Sequence, residues 1–147
     1  MAASKKLHID MLEHLEKNGI KEGLNAHKFI DKSTSQSQEK SKQLLSSSLL
    51  HAADISTSVR KFDTSKTWAD NLFDEFFTQG DAEKAQNISV SFLCDRTTTN
   101  IASSQSGFIS FVVMPVFKQL SHLAPQMEQV QIAYGERNIQ KWKAIKE

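Results

Sequence analysis

The sequence predicts an all-α fold, and three observations carry that expectation. Glycine and proline are scarce, five and two in 147 residues, too few turn-formers for a many-stranded sheet. Trp68, Leu72 and Phe76 recur every fourth residue, with Phe73 and Phe77 widening the stripe, which is the period of an amphipathic helix. Capping and stopping residues stand at the ends of the periodic runs.

The first helix is expected over residues 4–18. Ser4 is its candidate cap, Leu7, Met11 and Leu15 share a face, and Gly19 stops it. Residues 19–37 show little period and read as a loop, with one short helix around Leu24 to Ile30. A second helix spans about Gln38 to Asp54, with Leu45, Leu49 and Ala52 or Ala53 inward. A polar, irregular stretch follows. The third helix, about Ser65 to Gln79, carries the aromatic stripe, read as core, and Gly80 ends it. A fourth helix covers about Thr99 to Leu120 and bends near Pro115, where a backbone donor is missing. Pro125 suits the first turn of a last helix running to about Lys146, with Met127, Val130, Tyr134, Ile139, Trp142 and Ile145 as its apolar set.

Composition excludes several classes of function. Lys plus Arg number 18 and Asp plus Glu 17, so no basic excess exists for a nucleic-acid or anionic-membrane surface. No apolar run reaches the roughly 20 residues of a membrane span, and the N-terminus lacks the apolar centre of a signal peptide. One cysteine, Cys94, leaves no internal disulfide and fits a reducing, cytoplasmic setting. In that setting the triplet Asn87-Ile88-Ser89 is no glycosylation site.

Two stretches could carry chemistry. In LLHAADIS, Leu49 to Ser56, a histidine and an aspartate interrupt an apolar run. A carboxylate buried there is costly unless it is paired or bound. Asp54 could cap a helix end, pair with Arg60 or Lys61, or bind a metal. His51, three residues earlier, lies on the same helical face as a metal neighbour or a core group. His8, His14, His27 and His122 form no HxxxH or HD pair, and a metal site needs about three converging ligands. In SSQSGFISF, Ser103 to Phe111, Gln105 and Phe108 share a face. A planar amide that both donates and accepts matches a purine edge, and a ring beside it can lie against the base; local capping is the other use of such a glutamine. Gly107 permits close approach. Cys94-Asp95-Arg96 reads as a surface ion pair.

Taken together, HAADIS, then W-(x)7-FF-x-QGD from Trp68 to Asp81, LCDR from Leu93 to Arg96 and SQ-x-GFI-x-F from Ser104 to Phe111 resemble the class I 3′,5′-cyclic-nucleotide phosphodiesterases. The likeness is specific from Leu49 to Phe117 and fainter over Met1 to Leu15. It implies that residues 1–147 are the C-terminal part of an all-helical catalytic domain that hydrolyses cyclic AMP or cyclic GMP with two divalent ions, zinc and magnesium or manganese. It implies that Asp54 is a metal ligand. It also implies that Gln105 bonds the base, and that Phe108 and Leu72 clamp it from either side. The family's HNxxH word, its HD pair and its upstream histidine ligand have no counterpart here, so no general acid is present. Thr57, Ser58 and Phe92 replace an asparagine and two prolines. The chain alone is therefore expected to be inactive. It is expected to expose an apolar face that the missing N-terminal half of the domain, or another protein, would cover. A catalytically dead remnant acting as a structural or interaction subunit is the alternative.

Overall fold

The computed structural model describes residues 2–20 and 28–145, and every regular element among them is helical. Helix α1 (Ala2–Lys17) begins before Ser4, which is therefore not its cap. Its end follows the expectation. Gly19 takes φ 61°, Gly19 N–H donates to Glu16 O, and Ile20 N–H reaches back to Leu15 O. The left-handed glycine thus closes the helix and folds buried Ile20 onto buried Leu15. The expected short helix around Leu24 to Ile30, and His27 with it, fall largely outside the described residues, as does the last helix beyond Ile145.

Helix α2 (Ser35–Asp54) starts earlier than its apolar residues suggest, because the Thr34 hydroxyl accepts from Ser37 N–H and caps it. Its buried face is Ser41, Ser48 and Ala52. Ser48 Oγ donates to its own helix at Leu44 O, 2.8 Å, and meets Met11 Sδ at 3.7 Å. Small residues let α1 and α2 lie close together. Leu49, expected inward, is instead 46% exposed.

A 3-10 turn (Ser56–Val59) leads into α3 (Phe62–Ala85). Helix α3 differs from its expected form in two ways. The buried stripe is Ser65, Ala69, Phe73, Phe77 and Gly80, one residue out of step with the expected Trp68, Leu72 and Phe76. Trp68 and Leu72 face solvent. Gly80 does not end the helix. Asn87, at φ 54°, does so, with Asn87 N–H donating to Lys84 O and Ile88 N–H to Glu83 O.

Helix α4 (Ile101–Phe108) is capped by Asn100, whose side chain accepts from Ser103 N–H. A π turn (Ile109–Val113) joins it to α5 (Met114–Ser121). The expected bend near Pro115 takes this form: a widened turn accommodates the ring and the missing donor. A second π turn (Glu128–Ile132) precedes α6 (Ala133–Ala144). On this last helical stretch Val130 is exposed, whereas Gly135, Asn138 and Trp142 are buried. Helix α6 packs against α4, α3, the 3-10 turn and the first π turn. The core joins Met11, Phe29, Ile109, Val113, Phe117, Leu120 and Trp142. The Gln119 amide donates to His8 O and ties α5 to α1.

Candidate nucleotide and metal site

The end of α2 builds an open groove lined by Ser47, Leu50, His51 and Asp54. These positions are spaced by three or four residues, so they form one helical face. Asp54 is exposed, not buried as its apolar neighbours suggest. Ala52 turns into the core and Asp54 turns away from it. His51 is half-buried and also lines a narrow crevice with His8, Met11, Ser48 and Gln119 between α1, α2 and α5.

The divalent ions implied by the resemblance do not fit the residues present. Among the described residues, no three histidine, cysteine, aspartate or glutamate side chains converge on one point. A site that outcompetes water requires about that many. Asp54 and His51 share a groove, but the rest of a coordination sphere is not there.

The other expected residues lie on separate elements. Gln105 is 7% exposed, on α4. Phe108 closes the same helix, 38% exposed, and Phe111, in the π turn, is 84% exposed. Leu72 stands 41% exposed on α3, one turn from Trp68 at 58%. Thr57 is half-buried in the 3-10 turn. The short, capped α4 thus presents a nearly buried amide and an open ring, while α3 presents an open apolar edge.

The QGD and LCDR words do something the sequence reading missed: they fasten one segment to another. A Cβ on Gly80 would lie 1.9 Å from Cys94 O, so the loop carrying LCDR sits directly on α3. Arg96 donates to Asp81 through Nη2 at 2.6 Å and Nε at 3.1 Å, and its guanidinium lies 5.3 Å from the centre of the Phe77 ring. Lys84 Nζ donates to Asp95 at 2.8 Å. Glu83 accepts from the backbone and hydroxyl of Ser91, both at 2.6 Å, and from the Gln79 amide. Asp95 and Arg96 therefore pair with α3, not with each other. Hydrogen bonds from Lys84, Arg96 and Ser91 hold Asp95, Asp81 and Glu83 respectively below the usual carboxylate range. Burial pushes the Cys94 thiol up, and the side chain packs inside the protein. Leu93, at φ 66°, holds a conformation that leucine rarely adopts, imposed by this tight seating. The recurrence of acids in QGD and a base in LCDR was the signal available in the sequence.

An all-helical chain with these words, in this order, defines a class of phosphohydrolase domains. The sequence matches the family described as 3'5'-cyclic nucleotide phosphodiesterase over residues 1–133, and the chain belongs to that family. Among curated relatives, it is 46% identical over 91 residues to the dual specificity calcium/calmodulin-dependent 3',5'-cyclic nucleotide phosphodiesterase 1B of Bos taurus, covering 62% of this chain and 17% of that protein. It is 35% identical over 96 residues to the high affinity cGMP-specific 3',5'-cyclic phosphodiesterase 9A of Homo sapiens, covering 65% of this chain and 16% of that protein. Among solved structures, the phosphodiesterase domain of the RhoPDE fusion protein from the choanoflagellate Salpingoeca rosetta superposes with a TM-score of 0.75 at 25% identity. That match covers 98% of this chain and 42% of the other. The chain thus spans about a sixth of the curated relatives' length and less than half of the solved domain.

Proposed function

We propose that this chain is the C-terminal, nucleotide-recognising segment of a 3′,5′-cyclic-nucleotide phosphodiesterase. The whole domain would hydrolyse cyclic AMP, cyclic GMP or both to the 5′-monophosphate. The observation that carries this reading is the pairing on α4 of a nearly buried Gln105 with an open Phe108, in a chain matched by the family over residues 1–133. In this reading Gln105 bonds the base edge, Phe108 and Leu72 hold its faces, and Asp54 supplies one ligand to zinc and magnesium or manganese ions. The remaining ligands and the general acid belong to residues outside this chain, which by itself holds no ion and performs no hydrolysis. Residues 1–147 then form part of one domain. The open apolar side chains Leu50, Trp68 and Leu72 face the rest of it. Signalling in the cytoplasm fits the single reduced thiol, and among the described residues no helix is long and apolar enough to cross a membrane.

A second reading, a non-catalytic interaction subunit, draws on the missing ligand cluster. The test is an NMR titration of the full chain with cyclic AMP and cyclic GMP, alongside a hydrolysis assay with zinc and magnesium. We expect saturable shifts at the Gln105 side-chain amide and at Phe108, with affinity on the order of millimolar, about −4 kcal/mol, and no product. Absence of any shift with either nucleotide overturns the proposal in favour of the interaction subunit. Hydrolysis that Asp54→Ala abolishes would overturn the expectation of inactivity.

A further inference from the structure

The stretch Arg60 to Phe62 runs along α6, and two contacts hold it there. The buried Asn138 amide donates through Nδ2 to Ser58 O at 2.9 Å and to Arg60 O at 2.8 Å. One turn further along α6, the Phe62 ring meets Trp142 edge to face at 5.3 Å, and Lys141 Nζ lies 4.9 Å from the centre of the same ring. The Lys141 contact shows which side of α6 borders this stretch. Arg137 stands one turn before Lys141 on that side. Glu136 and Lys143 fall on the opposite side of the helix. Arg60, Lys61, Arg137 and Lys141 are all exposed, and among the described residues none of the four forms an ion pair. The cations further along the same region are different: Lys66 pairs with Asp70, Lys84 with Asp95 and Arg96 with Asp81. The start of α3, where Lys61 offers no side-chain cap, adds partial positive charge. Asp63 is the one carboxylate of that first turn.

We propose that this patch docks a short acidic segment of a partner protein. Guanidinium forks at Arg60 and Arg137 suit carboxylates in paired hydrogen bonds, and the ammonium groups of Lys61 and Lys141 add point charges beside them. The half-buried Phe62 ring between them offers apolar contact to the stems of the incoming side chains. The choice of partner follows from the charge of the rest of the molecule. The whole chain carries a formal net charge of +1, less than the patch holds even after Asp63 is counted. The surface outside the patch is therefore slightly acidic and repels an extended anionic partner such as a membrane or a nucleic acid. A short acidic segment meets the patch alone. The patch shares no residue with the groove at Asp54 or with Gln105 and Phe108, so it stands whether or not the chain binds a nucleotide.

The test is an NMR titration of the full chain with a short oligoglutamate peptide with blocked ends, at ionic strengths from about 0.01 M to about 0.15 M. The expected result is saturable shifts confined to residues 60–64 and 137–142, with affinity falling as salt rises. Arg137→Gln with Lys141→Gln should weaken binding about fivefold or more and leave thermal melting unchanged. Where that variant melts lower, Arg60→Gln with Lys61→Gln replaces it. Lys118→Gln with Lys143→Gln removes the same charge from exposed positions outside the patch and should change affinity by less than about twofold. The absence of saturable binding overturns the proposal, as do shifts scattered over the surface. An equal loss in the patch variant and the Lys118 and Lys143 variant also overturns it, since net charge alone would then set the affinity. Tighter binding to phosphatidylserine vesicles or to a single-stranded DNA oligonucleotide than to the peptide overturns it in favour of an extended anionic surface.

Discussion

Helix α3 has two halves with opposite characters. From Phe73 onward its buried face is covered and three of its charged residues bond the loop that follows: Phe77 lies under Arg96, Asp81 on Arg96, Lys84 on Asp95, Glu83 on Ser91. Before Phe73 the same helix leaves Trp68 and Leu72 in solvent, and on α2 Leu49 and Leu50 are also open. Both halves carry family words. The C-terminal half spends them on its own folding, and the N-terminal half displays them. A motif residue that is buried and bonded within the chain holds the fold, whereas one left exposed and apolar awaits something the chain does not contain.

The largest effect should come from breaking the closed half. Gly80→Ala places a methyl group against the Cys94 carbonyl, which belongs to backbone and cannot swing away. Overpacking of this kind costs about 1–3 kcal/mol, and at this separation the upper end is expected. For a chain of this size that lowers Tm by about 6–12 °C, at roughly 2–4 °C per kcal/mol. A melt followed by circular dichroism checks it. A fall under about 2 °C would mean the loop is not seated on α3.

Acid should loosen the same half next. The carboxyls of Asp81, Glu83 and Asp95 are held below their ordinary values. Groups depressed in the folded state add stability that is fully present above their unfolded pKa of about 4 and is lost as pH falls through the folded value. Melting temperature should hold from pH 7 to about 5 and decline below about 4. Arg96→Gln and Ser91→Ala should flatten that decline. An equal slope in both variants would show that these pairs contribute nothing.

How much of this was legible follows from the same contrast. The helices were readable where period and stop signal agree, as at Leu15 and Gly19. The phase of α3 was misread because its largest side chains, Trp68 and Phe76, outweigh the small Ser65, Ala69 and Gly80 that mark its buried face. Size signals burial only where the chain covers what it carries. Asp54 was read as buried from its apolar neighbours, yet those neighbours, Leu49 and Leu50, are exposed too. Asn138 stands four residues from both Tyr134 and Trp142, on the face they share, so its spacing marked it for burial and only its polar side chain hid that. Its importance comes from carbonyls roughly 80 residues away in sequence, a pairing that only the tertiary fold creates.

The open half should answer to chemistry that leaves stability alone. Trp68→Gln with Leu50→Gln removes exposed apolar surface and should change stability by no more than about 0.5 kcal/mol. We expect the unsubstituted chain to self-associate as concentration rises, because exposed apolar patches seek cover, and the double variant to stay monomeric. Sedimentation velocity across a concentration series decides it. A strictly monomeric unsubstituted chain would remove the contrast between the halves.

The smallest effect is expected at Asp54, and it is the most discriminating. As an exposed residue at the end of α2, Asp54→Ala should alter stability by no more than about 0.5 kcal/mol. Were Asp54 instead tied into the fold, the same substitution would leave polar partners stranded and cost about 1–3 kcal/mol. Zinc added to the unsubstituted chain should raise Tm little, since Asp54 with His51 falls short of the three or so ligands that a stabilising site requires. A neutral mutation together with a weak zinc response would mean that this chain's own fold makes no use of the aspartate, as a site completed by residues outside the chain requires. A large loss of stability would instead return Asp54 to the closed half of the comparison, as a residue the fold itself needs.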